Sequence, residues 1–320
     1  MKEYAIGIDV GGTKIAAGVV DRKGKIMHRF LTRAHTEKDP ATVIACILEA
    51  YHGLLHDSGV AETELEGLCV GFGGTVNGHT GTVFVSSNLP AWDHFPLRDH
   101  LQRRIGLPVL FDNDTNLCAL GEHRYGAGRG YRNMCYVTLS TGFGLGIIVD
   151  NELYIGHTGT AGEIGHAVVH VNGGQCTCGK KGCLMAYTSA VGISRMAYEE
   201  IETGSETVLR DIMPAGGGRF RGEDVAEAAR RGDNVARKVL TTAGYYLGVG
   251  LSWIVQIINP ELIVVGGGLT RMGPLLMDAA MVGLKENVQP QLESSLRIIP
   301  WQLGEELGVI GAAARVFAGS

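Results

Sequence analysis

Short apolar runs that stop at a glycine or an acid recur along this 320-residue chain, and stretches with apolar residues every third or fourth position lie between them. The first run, Tyr4 to Ile8, and the second, Ile15 to Val20, predict two buried strands. Between them stand Asp9-Val10-Gly11-Gly12-Thr13-Lys14, so the glycines fall in the turn of a hairpin. Lys25 to Leu31, Leu65 to Phe72 and Val109 to Phe111 read as further strands. Asp39-Pro40 opens a helix whose buried stripe is Val43, Ile47, Ala50, Leu54 and Leu55, and Gly59 ends it. A short helix over 96–104 and another over 117–125 follow, with the glycine-rich Gly126-Ala127-Gly128-Arg129-Gly130 after them. Strands alternating with helices make this an α/β chain.

The second half restarts the first. Cys135 to Leu139 is an apolar strand, Ser140-Thr141-Gly142-Phe143-Gly144 a glycine turn, and Leu145 to Val149 the return strand. Laid over Asp9-Val10-Gly11-Gly12-Thr13, this turn suggests two copies of one α/β unit facing each other, with a phosphate chain between two glycine hairpins. Later come a helix over 186–202, a polar glycine-rich excursion over 203–221, and a short helix capped by Asp224. A long helix over 235–258 follows, with Val239, Ala243, Tyr246, Gly250, Ile254 and Ile258 as its buried stripe and Pro260 as its stop. The strand 262–265 runs into Gly266-Gly267-Gly268, and a closing helix spans 308–317.

Composition narrows the function classes. The net charge is -5 with no long basic run, which argues against nucleic acid as a partner. No uncharged apolar run reaches the roughly 18 residues of a membrane span. A strand begins by Tyr4, leaving no room for a signal peptide, and seven cysteines cannot all pair, so a cytoplasmic protein is expected.

Three groups carry candidate chemistry. The turn amides of Gly11, Gly12 and Thr13, with the Lys14 cation, suit an anion, and Asp9 at the strand end suits a hydrated divalent cation. The same stretch also reads as an ordinary glycine hairpin. Asp114 follows a buried strand and precedes a helix, where open α/β sheets place reacting groups. It can accept a proton from a hydroxyl that attacks phosphorus, and Asn113 can bond a second hydroxyl. Alternatively Asp114 caps the helix, and Asp112 is a rival carboxylate. Finally, His166, Cys176, Cys178 and Cys183 supply one imidazole and three thiols, a closed tetrahedral set for structural zinc; the alternative is free thiols in a glycine-rich loop. Such a zinc would fix Glu163 and its loop.

Taken together these residues resemble the ROK family (repressor, open reading frame, kinase) of sugar kinases, within the actin-like ATPase superfamily, from Gly7 to Ala314. Asp9-x-Gly-Gly-Thr-Lys14 resembles the family's first phosphate motif, Ser140-Thr141-Gly142 the second, and Gly266-Gly267-Gly268 the adenosine motif. Asn113-Asp114-Thr115-Asn116 resembles the motif whose Asp is the catalytic base. Gly162-Glu163-x-Gly-His166 and Cys176-x-Cys178-Gly-x-x-Gly-Cys183 resemble the signature and zinc knuckle.

The resemblance implies two facing ribonuclease-H-like α/β domains with a cleft between them. It places a small domain at 1–117, to which the helix 308–320 returns, and a larger one with the knuckle at 118–307. It implies a glucokinase-like enzyme that phosphorylates the 6-OH of glucose or a related hexose with ATP, Mg²⁺ and structural Zn²⁺, as a homodimer or homotetramer; the alternatives are a kinase for fructose, mannose, allose or an N-acetylhexosamine, or a non-catalytic sugar-binding protein. Asp114 would be the base. Gly74, Asn88, Asn113, Glu163 and His166 would hold the sugar. Asp9, Gly11, Gly12, Thr13, Lys14, Thr141, Gly142 and Gly266 to Gly268 would hold the nucleotide. Family members that act as sugar-responsive repressors carry a DNA-binding segment before the first hairpin, and here three residues precede Tyr4. Three departures bear on substrate. Met185 stands where the family has a sugar-binding Glu, Gly73-Gly74-Thr75-Val76-Asn77 replaces Pro-Gly-Pro-Val-Asp, and Ser140 replaces a glycine.

Overall fold

The computed structural model describes residues 2–12, 14–34, 39–85, 90–293 and 296–319. In chain order, β1 (Tyr4–Val10), β2 (Lys14–Asp21) and β3 (Ile26–Arg33) are followed by α1 (Pro40–Ser58) and β4 (Leu65–Phe72). A hairpin of β5 (Thr75–Asn77) and β6 (Thr82–Val85) precedes α2 (Leu97–Gln102), β7 (Val109–Asn113) and α3 (Asp114–Tyr125). Then come β8 (Met134–Leu139), β9 (Phe143–Val149), β10 (Glu152–Leu153), α4 (Met185–Thr188), α5 (Ala190–Glu202), α6 (Gly222–Arg230) and α7 (Asn234–Ile258). The chain ends with β11 (Leu262–Gly266), α8 (Pro274–Asn287), α9 (Pro290–Glu293), β12 (Arg297–Pro300) and α10 (Leu307–Ala318).

The chain divides into two compact units. The first comprises Met1–Tyr136, Gly146–Ala161 and Trp301–Ser320; the second comprises Val137–Leu145 and Gly162–Pro300. This division departs from a boundary at 117/118. Helix α3 stays in the first unit because it packs on α10, closely enough that a methyl group on Gly121 would lie 3.1 Å from the Gly311 Cα.

The first unit is built on the sheet β3-β2-β1-β4-β7, antiparallel through β3-β2-β1 and parallel through β1-β4-β7. Strand alternation sorts its two faces. Ile6, Ile8 and Val10 of β1 enter a core with Val43, Ile47 and Leu54 of α1. Ala5 of the same strand packs with Val309, Ala312 and Val316 of α10. Gly7 falls on that second face, and any side chain there would run into the Val309 carbonyl oxygen. The glycine therefore lets α10 lie directly on β1, and Asp9, two residues on, comes to the start of that helix: a methyl group on Gly308 would sit 2.6 Å from the Asp9 carboxyl carbon.

The second five-stranded sheet has the order β10-β9-β8-β11-β12, with β11 and β12 parallel. In the second unit α7 packs along α8. Val239, Ala243, Gly250 and Ile254 are buried as the stripe predicts, while Tyr246 and Ile258 are half-buried. Helix α7 ends at Ile258 as read from the sequence, with Asn259 as its cap in the left-handed region, φ 52°, just before Pro260. Helix α6 opens at Gly222 with Arg221 at the cap position, so Asp224 lies inside its first turn and does not cap it. Among the described residues, no helix is long and apolar enough to cross a membrane.

Candidate active site

In the first unit β4 and β7 run parallel, and the chain leaves both at the same end, into the Gly73-Gly74 turn and into α3. Helix α3 begins earlier than its apolar periodicity, at Asp114, and the capping residue is Asn113. Its Oδ1 accepts from the backbone N–H groups of Thr115 (2.8 Å) and Asn116 (3.2 Å), and its Nδ2 donates to the Gly74 carbonyl at 2.9 Å. Capping is thus done next door, which separates Asp114 from that role. Asp114 Oδ1 accepts from the Thr115 N–H at 2.7 Å and the Thr115 hydroxyl at 3.2 Å. Its Oδ2 lies on the Gly73 side, 3.3 Å from where a methyl group on that glycine would stand.

Asp112, the rival carboxylate, is fully buried. Its Oδ1 accepts from the Asn113 N–H (2.8 Å) and Asn116 Nδ2 (3.0 Å), and Arg315 Nε lies 3.6 Å from its Oδ2. It serves structure, and no substrate hydroxyl can reach it. Asp9 closes β1 beside the glycine turn, where the Gly11 N–H donates to the Lys14 carbonyl at 3.0 Å. Removal from water, and then the charge of Asp114, push the Asp9 carboxyl up to about 7, against a lowering by Lys14. Two carboxyls that repel in this way are stabilised by a cation placed among them. Lys14 is exposed, its Nζ 3.9 Å from Glu305 Oε2. Two of the expected binding residues, Thr13 and Asn88, lie outside the described residues.

The second unit holds the other candidates. Ser140, Thr141 and Gly142 form the turn between β8 and β9, and the Ser140 N–H donates to the Gly142 carbonyl at 3.0 Å. Gly267, at φ 92°, packs against the Leu139 carbonyl so tightly that a side chain would collide with it, so Gly266 to Gly268 lie at the end of β8, beside that turn. Glu163 and His166 share one turn of 3-10 helix, with Glu163 Oε2 3.9 Å from His166 Nε2.

On its other side His166 presents Nδ1 at 3.8 Å from Cys176 Sγ, and Cys178 Sγ lies 3.8 Å from Cys183 Sγ. The four donor atoms all fall within 4.8 Å of one another. A tetrahedron of sulfurs about 2.3 Å from a zinc ion has edges of about 3.8 Å, so the donor set fits that ion. Burial, then hydrogen bonds and charge from the neighbouring thiols, push the Cys183 thiol up to about 12. A divalent cation relieves that crowding. Among the described residues no cysteine takes part in a disulfide.

Residues 184 and 185 part company. The Leu184 side chain packs on Gly250 of α7, whereas Met185 is half-buried and its sulfur lies 3.5 Å from where a methyl group on Gly142 would stand. Sequence reasoning missed Glu122. Fully buried in α3, it accepts from the backbone N–H groups of Ala127 (2.7 Å), Gln302 and Leu303 (2.9 Å each). Its acceptors serve backbone 180 residues away in sequence, a pairing that no local pattern signals.

Comparison with known proteins places this geometry in a family. The glucokinase of Streptomyces coelicolor is 35% identical over 318 residues, covering 96% of each chain. The glucokinase of Halalkalibacterium halodurans is 34% identical, over 96% of this chain and 93% of that one. Among solved structures, a ROK family glucokinase from Streptomyces griseus in complex with glucose and AMPPNP has a TM-score of 0.83 at 33% identity, covering 99% of this chain and 100% of that one. The likeness shows the same two-unit α/β architecture, the actin-like ATPase fold that the motifs implied. The ROK family model matches residues 5–318, and the chain belongs to the ROK family.

Proposed function

We propose that this chain is a cytoplasmic ATP-dependent hexose kinase whose first acceptor is the 6-OH of glucose or a related sugar. The observation that carries the chemistry is the contrast between two carboxylates two residues apart. Asp112 is sealed and paired with Arg315, while Asp114 accepts from Thr115 through Oδ1 and sets Oδ2 on the side of the Gly73-Gly74 turn.

In this reading Asp114 Oδ2 takes the proton from the sugar hydroxyl as its oxygen attacks the γ-phosphorus and the bond to the β–γ bridging oxygen breaks. The Thr115 N–H and hydroxyl hold the carboxylate in place, and the start of α3 favours its charge. Asn113 keeps a second Nδ2 hydrogen for a sugar oxygen while the first holds the Gly74 carbonyl. Asp9 would hold Mg²⁺, which when bound would neutralise phosphate charge. The glycine turns at Gly11-Gly12 and Thr141-Gly142 would receive the phosphate oxygens, and Gly266 to Gly268 the adenosine.

His166, Cys176, Cys178 and Cys183 would hold a structural zinc ion. Ligation through His166 Nδ1 would leave its proton on Nε2, so His166 would donate to a sugar oxygen while the nearby Glu163 carboxylate accepts from a sugar hydroxyl. The two together select a sugar by its hydroxyl pattern. Seven thiols outside any disulfide suit a reducing compartment.

The acceptor is tested with a panel of glucose and analogues altered at single hydroxyls, on the natural chain and on Met185→Glu. A thioether accepts hydrogen bonds weakly, so a dry sugar hydroxyl facing it loses about 1–3 kcal/mol. The account expects Met185→Glu to raise kcat/KM for glucose relative to at least one analogue. An unchanged preference across the panel would remove Met185 from specificity and shift attention to the Gly73-Gly74 turn.

A further inference from the structure

We infer that the His166, Cys176, Cys178 and Cys183 set positions the Ser140–Gly142 nucleotide turn as well as the sugar-facing Glu163; this rests on the kinase reading above. Two arms of backbone run from the metal donors to that turn, and both lie within the second unit.

The first arm carries His166. Gly162, at φ 95°, sits against the Leu145 carbonyl where a side chain would collide, and a methyl group on Gly165 would stand 2.7 Å from the Phe143 carbonyl oxygen. The segment that ends in His166 therefore lies flat on the first residues of β9, with no side chain in between. The second arm carries Cys183. The Leu184 N–H donates to the Ala167 carbonyl at 2.8 Å, which ties the two arms together. Helix α4 follows at once, Met185 sets its sulfur beside Gly142, and the Ser189 hydroxyl donates to the Met185 carbonyl at 2.7 Å. The Ala190 N–H then donates to the Ser140 carbonyl at 2.9 Å.

The turn is thus held at Ser140 by the arm from Cys183 and at Phe143 and Leu145 by the arm from His166. An ion bound to all four donors closes the ring between the arms. Without it, the knuckle is held by backbone bonds such as Cys176 N–H to the Lys180 carbonyl and Gly182 N–H to the Gly174 carbonyl, each 2.9 Å. A turn whose amides must converge on phosphate oxygens is sensitive to such loosening.

Ala190→Pro isolates one link. Ala190 is the first residue of α5, and Ser189 before it is extended at φ -92°, ψ 162°. Both features suit proline, which removes the N–H and leaves the helix intact. The experiment is calorimetric titration of Mg²⁺-AMPPNP without sugar. It uses zinc-loaded natural protein, the same protein stripped by chelator, and zinc-loaded Ala190→Pro, with zinc content and glucose binding measured on each.

Stripping and Ala190→Pro should each raise the AMPPNP Kd, by a factor within the about 5–150-fold typical of coupled sites. Ala190→Pro should do so with its zinc content and glucose affinity kept. Natural AMPPNP affinity in both the stripped protein and the variant would overturn the inference. Should the zinc-loaded natural protein fail to bind AMPPNP at all, the kinase reading itself would fall, and this inference with it.

Discussion

Asp114→Asn should lower the turnover of sugar phosphorylation by about 10²–10⁴-fold while sugar affinity changes little. Asparagine keeps the shape of the side chain and can still accept from the Thr115 N–H through its carbonyl oxygen, so α3 and its Asn113 cap should survive. What disappears is the capacity to take a proton. Steady-state kinetics on a saturating sugar, with sugar affinity from a separate binding titration, separate the two effects. Near-normal turnover would deprive the account of its base, because the burial and ion pairing of Asp112 leave no second carboxylate at this strand end to take over.

Cys178→Ser should lower zinc content and thermal stability together. Cys178 is the exposed member of the donor set, so its loss opens no cavity, and the change acts through the metal alone. A ligand that binds only the folded chain at 1,000 times its Kd stabilises it by about 4 kcal/mol. At roughly 2–4 °C per kcal/mol for a unit of this size, the zinc-dependent step should lower Tm by roughly 8–16 °C. Chelation of the natural chain should reproduce the drop, and zinc should reverse it. Reductively purified protein that contains no zinc, or equal melting with and without chelator, would contradict the metal assignment.

The glycine hairpins, the closing helix and the cysteine knuckle are legible in the sequence because each is local. A turn needs glycine and polar residues in a row, and the knuckle needs its ligands at short spacing. The start of α3 is not legible in the same way. Its first turn, Asp114-Thr115-Asn116, has no apolar stripe, so periodicity places the helix at Leu117, while the Asn113 side chain sets the true start by accepting two amide hydrogens. That shift matters chemically, since it moves Asp114 from the flank of a helix to its first residue.

The hairpin β5–β6 is also hidden. Its strands are too short for an alternation to show, and its turn is closed by Asn77 Oδ1, which accepts from the His79 and Thr80 N–H groups at 2.9 and 3.0 Å. Glu122 is hidden for a different reason, because its partners are remote in sequence and a buried carboxylate looks like an exposed one until the fold surrounds it. The roles of Gly7 and Gly308 are likewise set by α10 returning to β1, a contact between the two ends of the chain.

The central claim is that this chain moves the γ-phosphoryl group of ATP onto a sugar hydroxyl. The most direct measurement is nuclear magnetic resonance of the products formed from Mg²⁺-ATP and glucose, with ADP release followed in parallel with and without sugar. The account predicts ADP release that depends on sugar and one phosphorylated product, substituted at the 6 position. ADP release that is indifferent to every hexose offered, with no phosphorylated sugar in the spectrum, would contradict it.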